Sequence, residues 1–161
     1  MADEIEEKLK SWLAGSKRIV IAGVGNDVRQ DDGVGLKVAQ GLQGKLPENV
    51  CVLESETVPE NFLFDIEEFK PTHVLLVDAA FLGLKPGEVS LVDAEAVVNV
   101  SAISTHVLPL RIFCEYVKKT TGAKIALLLV EPKSFELWEG MSPEVEAAAE
   151  RITKVLLGLL G

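Results

Sequence analysis

Three short runs, residues 18–24, 72–77 and 125–130, are apolar almost from end to end, and segments with helical spacing stand between them. A strand with one face in water alternates apolar and polar side chains, whereas a strand apolar throughout has to be covered on both faces. The pattern predicts an α/β fold: a mostly parallel sheet with helices on either side. The spacing supplies the cover. Residues 3–14 carry Ile5, Leu9, Trp12 and Leu13 on one helical face, and residues 34–46 carry Val34, Val38, Leu42 and Leu46. Thr57 and Pro59 mark another helix start, with residues 60–69 filling it, and residues 107–120 form a helix that tolerates Pro109 in its first turn. Ser142-Pro143-Glu144 predicts a serine cap, proline at the first position and an acid in the first turn of a last helix reaching Leu160. A second strand is expected over residues 50–53 and a fourth over 89–92. The fourth follows the third across Leu82-Gly83-Leu84-Lys85-Pro86-Gly87 with no intervening helix, so it is expected to run antiparallel at or near an edge.

The chain has 161 residues, nearly half of them hydrophobic, which suits one domain spanning residues 1–161. Its formal net charge of −9 argues against a nucleic-acid partner, which needs clustered Lys and Arg. No apolar run reaches membrane-spanning length and the N-terminus is acidic rather than signal-like, so a cytoplasmic protein without membrane insertion is expected. Cys51 and Cys114 lie far apart, form no CxxC pair and read as free thiols.

Chemistry concentrates in three segments: Gly23-Val24-Gly25-Asn26 running on to Asp31-Asp32-Gly33, then Val77-Asp78-Ala79, then Ser104-Thr105-His106. The first begins like a dinucleotide-binding turn, but Val28 stands where the third glycine belongs, and no GK[ST] follows. Asp27, Asp31 and Asp32 would repel phosphate and attract a cation. Of the adjacent pair, one acid could cap the next helix while the other serves as a ligand, or both could be solvated. Asp78 reads either as a site carboxylate at the end of a buried strand or as a surface acid just past it. His106 opens a helix and reads either as a structural histidine or as a ligand; His73 begins a strand at the opposite end and reads as structural or solvated. Two carboxylates and an imidazole on separate loops form a three-point cation set with open positions, the arrangement of a reactive rather than a structural metal site. GxSxG, HExxH and a paired Cys-His motif are all absent from the sequence.

Taken together, these segments resemble the hydrogenase maturation endopeptidases. The likeness runs through Gly23-Val24-Gly25-Asn26, Asp31-Asp32-Gly33-Val34-Gly35, Pro59-Glu60-Asn61, Pro71-Thr72-His73-Val74-Leu75-Leu76-Val77-Asp78-Ala79, Pro86-Gly87-Glu88-Val89 and Ser104-Thr105-His106-Val107-Leu108-Pro109-Leu110. Val58-Pro59-Glu60-Asn61 and Gly83-Leu84-Lys85-Pro86-Gly87-Glu88 point to the branch acting on formate-hydrogenlyase-type and related group 4 enzymes.

The resemblance implies a three-layer α-β-α sandwich around a twisted five-stranded sheet. It also implies removal of a C-terminal peptide from the nickel-loaded precursor of a NiFe-hydrogenase large subunit. It assigns Asp32, Asp78 and His106 as catalytic and metal-contacting residues. Nickel would be supplied by the precursor, with no tightly bound metal in the isolated protein. Where many relatives carry an Asp-Gly-Gly-Thr segment implicated in substrate recognition, this chain has Glu54-Ser55-Glu56-Thr57. Trp138, in an aromatic-bearing loop over residues 132–141, is the other expected substrate contact. Two further readings remain open: a nickel carrier or checkpoint that does not cleave, and a Rossmann-like nucleotide-binding protein.

Overall fold

The structure is a computed structural model describing residues 4–26, 30–55, 62–94, 107–136 and 139–161, with backbone alone for 107–110. The elements are α1 (Glu4–Trp12), β1 (Ile19–Val24), a 3-10 turn (Gln30–Gly33), α2 (Val34–Leu42), β2 (Val50–Ser55), α3 (Leu63–Phe69), β3 (His73–Ala79), β4 (Val89–Asp93), α4 (Val107–Thr121), β5 (Lys124–Val130) and α5 (Pro143–Leu160). The strands form one sheet in the order β2-β1-β3-β5-β4. All pairings are parallel except β4 with β5, so β4 is the antiparallel edge strand that the helix-free connection predicts.

Two cores lie on opposite faces, and the side-chain period of two assigns each strand residue to one of them. Ile19 and Ile21 of β1, Leu75 and Val77 of β3, and Ala126 and Leu128 of β5 pack against α1, α2 and α5. Val20 and Ala22, Val74 and Leu76, and Ile125 and Leu127 pack against α3 and α4. This double burial is what makes the strands uninterrupted apolar runs. The α-β-α layering follows the sequence pattern directly.

Several boundaries differ from the sequence pattern, each for a local reason. α2 ends at Leu42, four residues before Leu46: Gln43 leaves the helical region, with ψ 130°, and Gly44 takes φ 73°. Pro47 disfavours helical backbone at the residue before it. β2 runs on through Ser55 because its ladder with β1 continues to Val24↔Ser55. β3 continues through Asp78 to Ala79, paired with Leu129 and Val130. The helix expected from residue 60 begins at Leu63; the start signals at Thr57 and Pro59 lie outside the described residues.

Ser142 does occupy the N-cap of α5, with Pro143 behind it, but its hydroxyl makes no capping bond. That hydroxyl donates instead to Asp31. His73 is structural, as its position suggested. It is buried with Nδ1 2.9 Å from Thr72 Oγ1, and its ring meets Trp12 edge-on at 5.0 Å. Burial, with a smaller contribution from the Lys124 charge, lowers its pKa. Among the described residues no helix is long and apolar enough to cross a membrane.

Candidate active site

β1 has β2 on one side and β3 on the other. The chain leaves β1 through α2, which packs on one face of the sheet, and returns to β3 through α3, which packs on the other. The carboxyl ends of β1 and β3 therefore form a topological switch point, where an open α/β sheet leaves a crevice for ligands. Asp32 and Asp78 both sit there. Asp78 is the penultimate residue of β3, and its Oδ1 accepts the Ala79 N–H at 2.8 Å. Asp32 belongs to the 3-10 turn that follows β1 and packs against β3. Its carbonyl accepts the Asn26 N–H at 3.2 Å.

Three glycines make this packing possible. A Cβ at Gly25 would stand 1.9 Å from the Asp32 carbonyl oxygen, and one at Gly23 would stand 2.1 Å from that of Gly35. A Cβ at Gly35 would stand 2.2 Å from the Val77 oxygen and 2.3 Å from that of Val24. The glycine loop thus serves close backbone approach. The space beside Gly25 is filled by this chain's own turn, which counts against phosphate binding there.

Neither carboxylate faces solvent. Asp32 is 1% exposed and Asp78 is 0% exposed, because the turn folds down over the ends of β1 and β3. The surface-acid reading of Asp78 is thereby removed. Asp31 is 0% exposed as well, so it is not solvated, and the N-cap of α2 is Gly33, which brings no side-chain oxygen. Asp31 instead accepts hydrogen bonds from Lys133, Ser134 and Ser142.

His106 lies outside the described residues, so its meeting with the two carboxylates is not part of the described geometry. The helix that follows it is informative. α4 ends at Thr121, three residues before β5 starts at Lys124. A 15-residue helix and a seven-residue strand both span roughly 22 Å. α4 therefore begins level with the carboxyl end of β5, on the face to which β3 alternation turns Asp78. Among the described residues no three His, Cys, Asp or Glu side chains cluster as a metal set.

Of the expected substrate contacts, Glu54 and Ser55 end β2 beside the switch point. Glu54 Oε2 accepts from Gln43 Nε2 at 3.1 Å, and the Ser55 carbonyl accepts from the Gly25 N–H at 3.0 Å. Glu56, Thr57 and Trp138 lie outside the described residues. Phe135, in the same loop as Trp138, stacks at a tilt on Phe81 with ring centroids 5.1 Å apart.

Sequence reasoning missed Glu131, a buried acid immediately after β5. Its Oε1 accepts the N–H groups of Leu82 at 2.7 Å and Leu84 at 3.2 Å, tying the turn after β3 to the same rim. The signal was available: Glu131, like Asp78, is a carboxylate directly after an apolar run, residues 125–130 for the one and 74–77 for the other.

Comparison with known proteins decides the family. Residues 36–159 match the family model described as HycI, hydrogenase maturation protease. The chain belongs to the hydrogenase maturation protease family. The Hydrogenase 3 maturation protease of Escherichia coli is 30% identical over 142 residues, covering 88% of this chain and 90% of that protein. The crystal structure of the NiFe-hydrogenase maturation protease HycI from Thermococcus kodakarensis superposes with a TM-score of 0.86 at 37% identity, covering 95% of this chain and 98% of that one. The solution structure of the endopeptidase HycI from Escherichia coli gives 0.78 at 29% identity, covering 88% and 90%.

A hydrogenase maturation protease has to hydrolyse a peptide bond, and the described cysteines of this one are unsuited to attack it. Burial, with a smaller push from the Glu115 charge, drives the Cys114 thiol up to about 12. Burial also raises Cys51, which sits low in β2 opposite Val20, far from the carboxyl ends. Neither supplies the thiolate that nucleophilic attack requires.

Proposed function

We propose that this protease removes a C-terminal peptide from the nickel-loaded precursor of a NiFe-hydrogenase large subunit, with Asp32, Asp78 and His106 reaching the metal that the precursor carries. The observation that supports this reading best is the pair of buried carboxylates at the switch point. A carboxylate withdrawn from water is stabilised when a cation meets it. A precursor that brings a divalent metal into the crevice supplies that cation, and two carboxylates with one imidazole leave positions for substrate atoms.

Hydrolysis then needs an activated electrophile, an attacking water and a group to take its proton. The substrate's metal is the Lewis acid available for the first of these. Asp32 and Asp78 would be oxygen donors holding the metal at the crevice, and a carboxylate not engaged by it would take the water's proton and pass it to the amine nitrogen as the C–N bond breaks. Because the metal arrives with the substrate, the isolated protein holds no firm stoichiometric metal of its own. The end of β2 with Glu54 and Ser55, continuing to Glu56 and Thr57, and the loop carrying Trp138 are the proposed borders of the docking surface.

The test is intact-mass analysis of nickel-loaded precursor before and after incubation with the purified protein. Loss of the C-terminal peptide at catalytic protein concentration is expected. Binding without any mass change would make the protein a carrier or checkpoint instead.

A further inference from the structure

We infer that Asp31 is a positioning residue for Asp32. It clamps the short turn that carries Asp32 to the N-terminus of α5 and to the strand-exit segment around Lys133. The inference rests on the proposed role of Asp32.

Asp31 is buried and collects four donors. Its Oδ2 accepts the N–H of Lys133 at 2.7 Å, the N–H of Ser134 at 3.2 Å and the Ser142 hydroxyl at 2.9 Å, while Oδ1 accepts the N–H of Ser142 at 2.8 Å. Its own N–H donates to the Ser134 carbonyl at 3.3 Å. Gln30 adds a strut, donating from Nε2 to Ser142 Oγ at 3.1 Å. This explains why Ser142, at the N-cap of α5, makes no capping bond.

The same contacts hold a conformation that the turn would not choose alone. Gln30 has φ 46°, in the left-handed region that non-glycine residues disfavour. Successive side chains on a 3-10 turn point about 120° apart. With Asp31 fixed toward α5, the direction of Asp32 is set as well. The Asp32 carbonyl is pinned from the other side by the Asn26 N–H, over Gly25. The turn is therefore held at two points along the chain, at the Asp31 side chain before the Asp32 Cα and at the Asp32 carbonyl after it. A misplacement of about 1 Å in a reacting group is enough to lower a rate about a hundredfold.

Asparagine cannot replace Asp31. Its amide has one acceptor oxygen, and its NH2 would face either the Ser142 N–H or the Lys133 and Ser134 N–H groups. The experiment compares tail release from nickel-loaded precursor by four variants, Asp31→Asn, Ser142→Ala, Asp32→Asn and Leu156→Ala, at a temperature where each is folded. Leu156→Ala opens a cavity in the core far along α5 and serves as the stability control. Asp31→Asn is expected to lower kcat about 10- to 100-fold while KM changes little. Ser142→Ala, which removes one donor, should lower kcat by less. Leu156→Ala should lose melting temperature but keep kcat.

An Asp31→Asn variant that matches the kcat of Leu156→Ala, or that loses only in KM, would overturn the inference. If Asp31→Asn does not fold, an unchanged kcat in Ser142→Ala overturns it equally. An inactive Asp32→Asn beside an unimpaired Asp31→Asn would sink the positioning role alone. An active Asp32→Asn would remove the reading of Asp32 on which it rests.

Discussion

Asp78→Asn and Asp32→Asn are each expected to lower the rate of precursor cleavage by on the order of 10²- to 10⁴-fold, the range associated with losing a positioned acid–base group. Both carboxylates are buried at the switch point, so alanine would leave a void as well as remove a charge. Asparagine keeps the size and retains an oxygen for the Ala79 N–H that Asp78 Oδ1 now accepts. The melting temperature is therefore expected to change far less than the rate of cleavage, because the replacement keeps the side chain's volume. His106→Ala should show a comparable loss of cleavage. Initial rates of tail release, with thermal melts on the same preparations, check this. Cleavage within a few-fold of wild type in Asp78→Asn would remove that residue from the site, and full activity in His106→Ala would do the same for the imidazole.

The second large effect concerns the backbone. Gly35→Ala would place a methyl 2.2 Å from the Val77 oxygen and 2.3 Å from the Val24 oxygen. Both atoms are main chain in two adjacent interior strands, β1 and β3, so neither can rotate aside. α2 has to lift from the sheet. We expect a loss of at least about 3 kcal/mol, or a fall of roughly 6–12 °C in melting temperature for a chain of this size. Gly158→Ala is the internal control. It lies inside α5 with nothing within 4 Å of the added methyl, and exchanging a helical glycine for alanine should stabilise by up to about 1 kcal/mol. Thermal or denaturant unfolding of both variants separates the two cases. A Gly35→Ala protein as stable as wild type would show that the close approach is not maintained in solution.

The layered architecture could be read from the sequence because burial on both faces writes itself into β1, β3 and β5 as apolar runs. The antiparallel edge was equally legible, since a short connection without a helix cannot return a parallel strand. Strand order was not. Nothing local in residues 50–55 says that β2 pairs outside β1, yet that pairing makes β1 and β3 the switch point and gives Asp32 and Asp78 their shared crevice. The burial of both acids was missed for a related reason. A short turn following a strand looks exposed until the contacts that fold it down are known, and those contacts run from Asp31 to Ser142, 111 residues away. Ser142 was read correctly as a cap position and wrongly as a capping hydroxyl, because a local rule could not anticipate a buried carboxylate competing for it. Gly23 and Gly25 read as the start of a dinucleotide-binding turn; the real constraint on them, and on Gly35, is the approach of one backbone segment to another, which no single-residue pattern encodes.

The most direct measurement of the central claim uses one precursor in two states, metal-free and nickel-loaded, mixed with the same chelator-treated protease and followed by intact mass. The substrate-metal reading predicts loss of the C-terminal peptide from the nickel-loaded form alone. Equal cutting of both forms would contradict it.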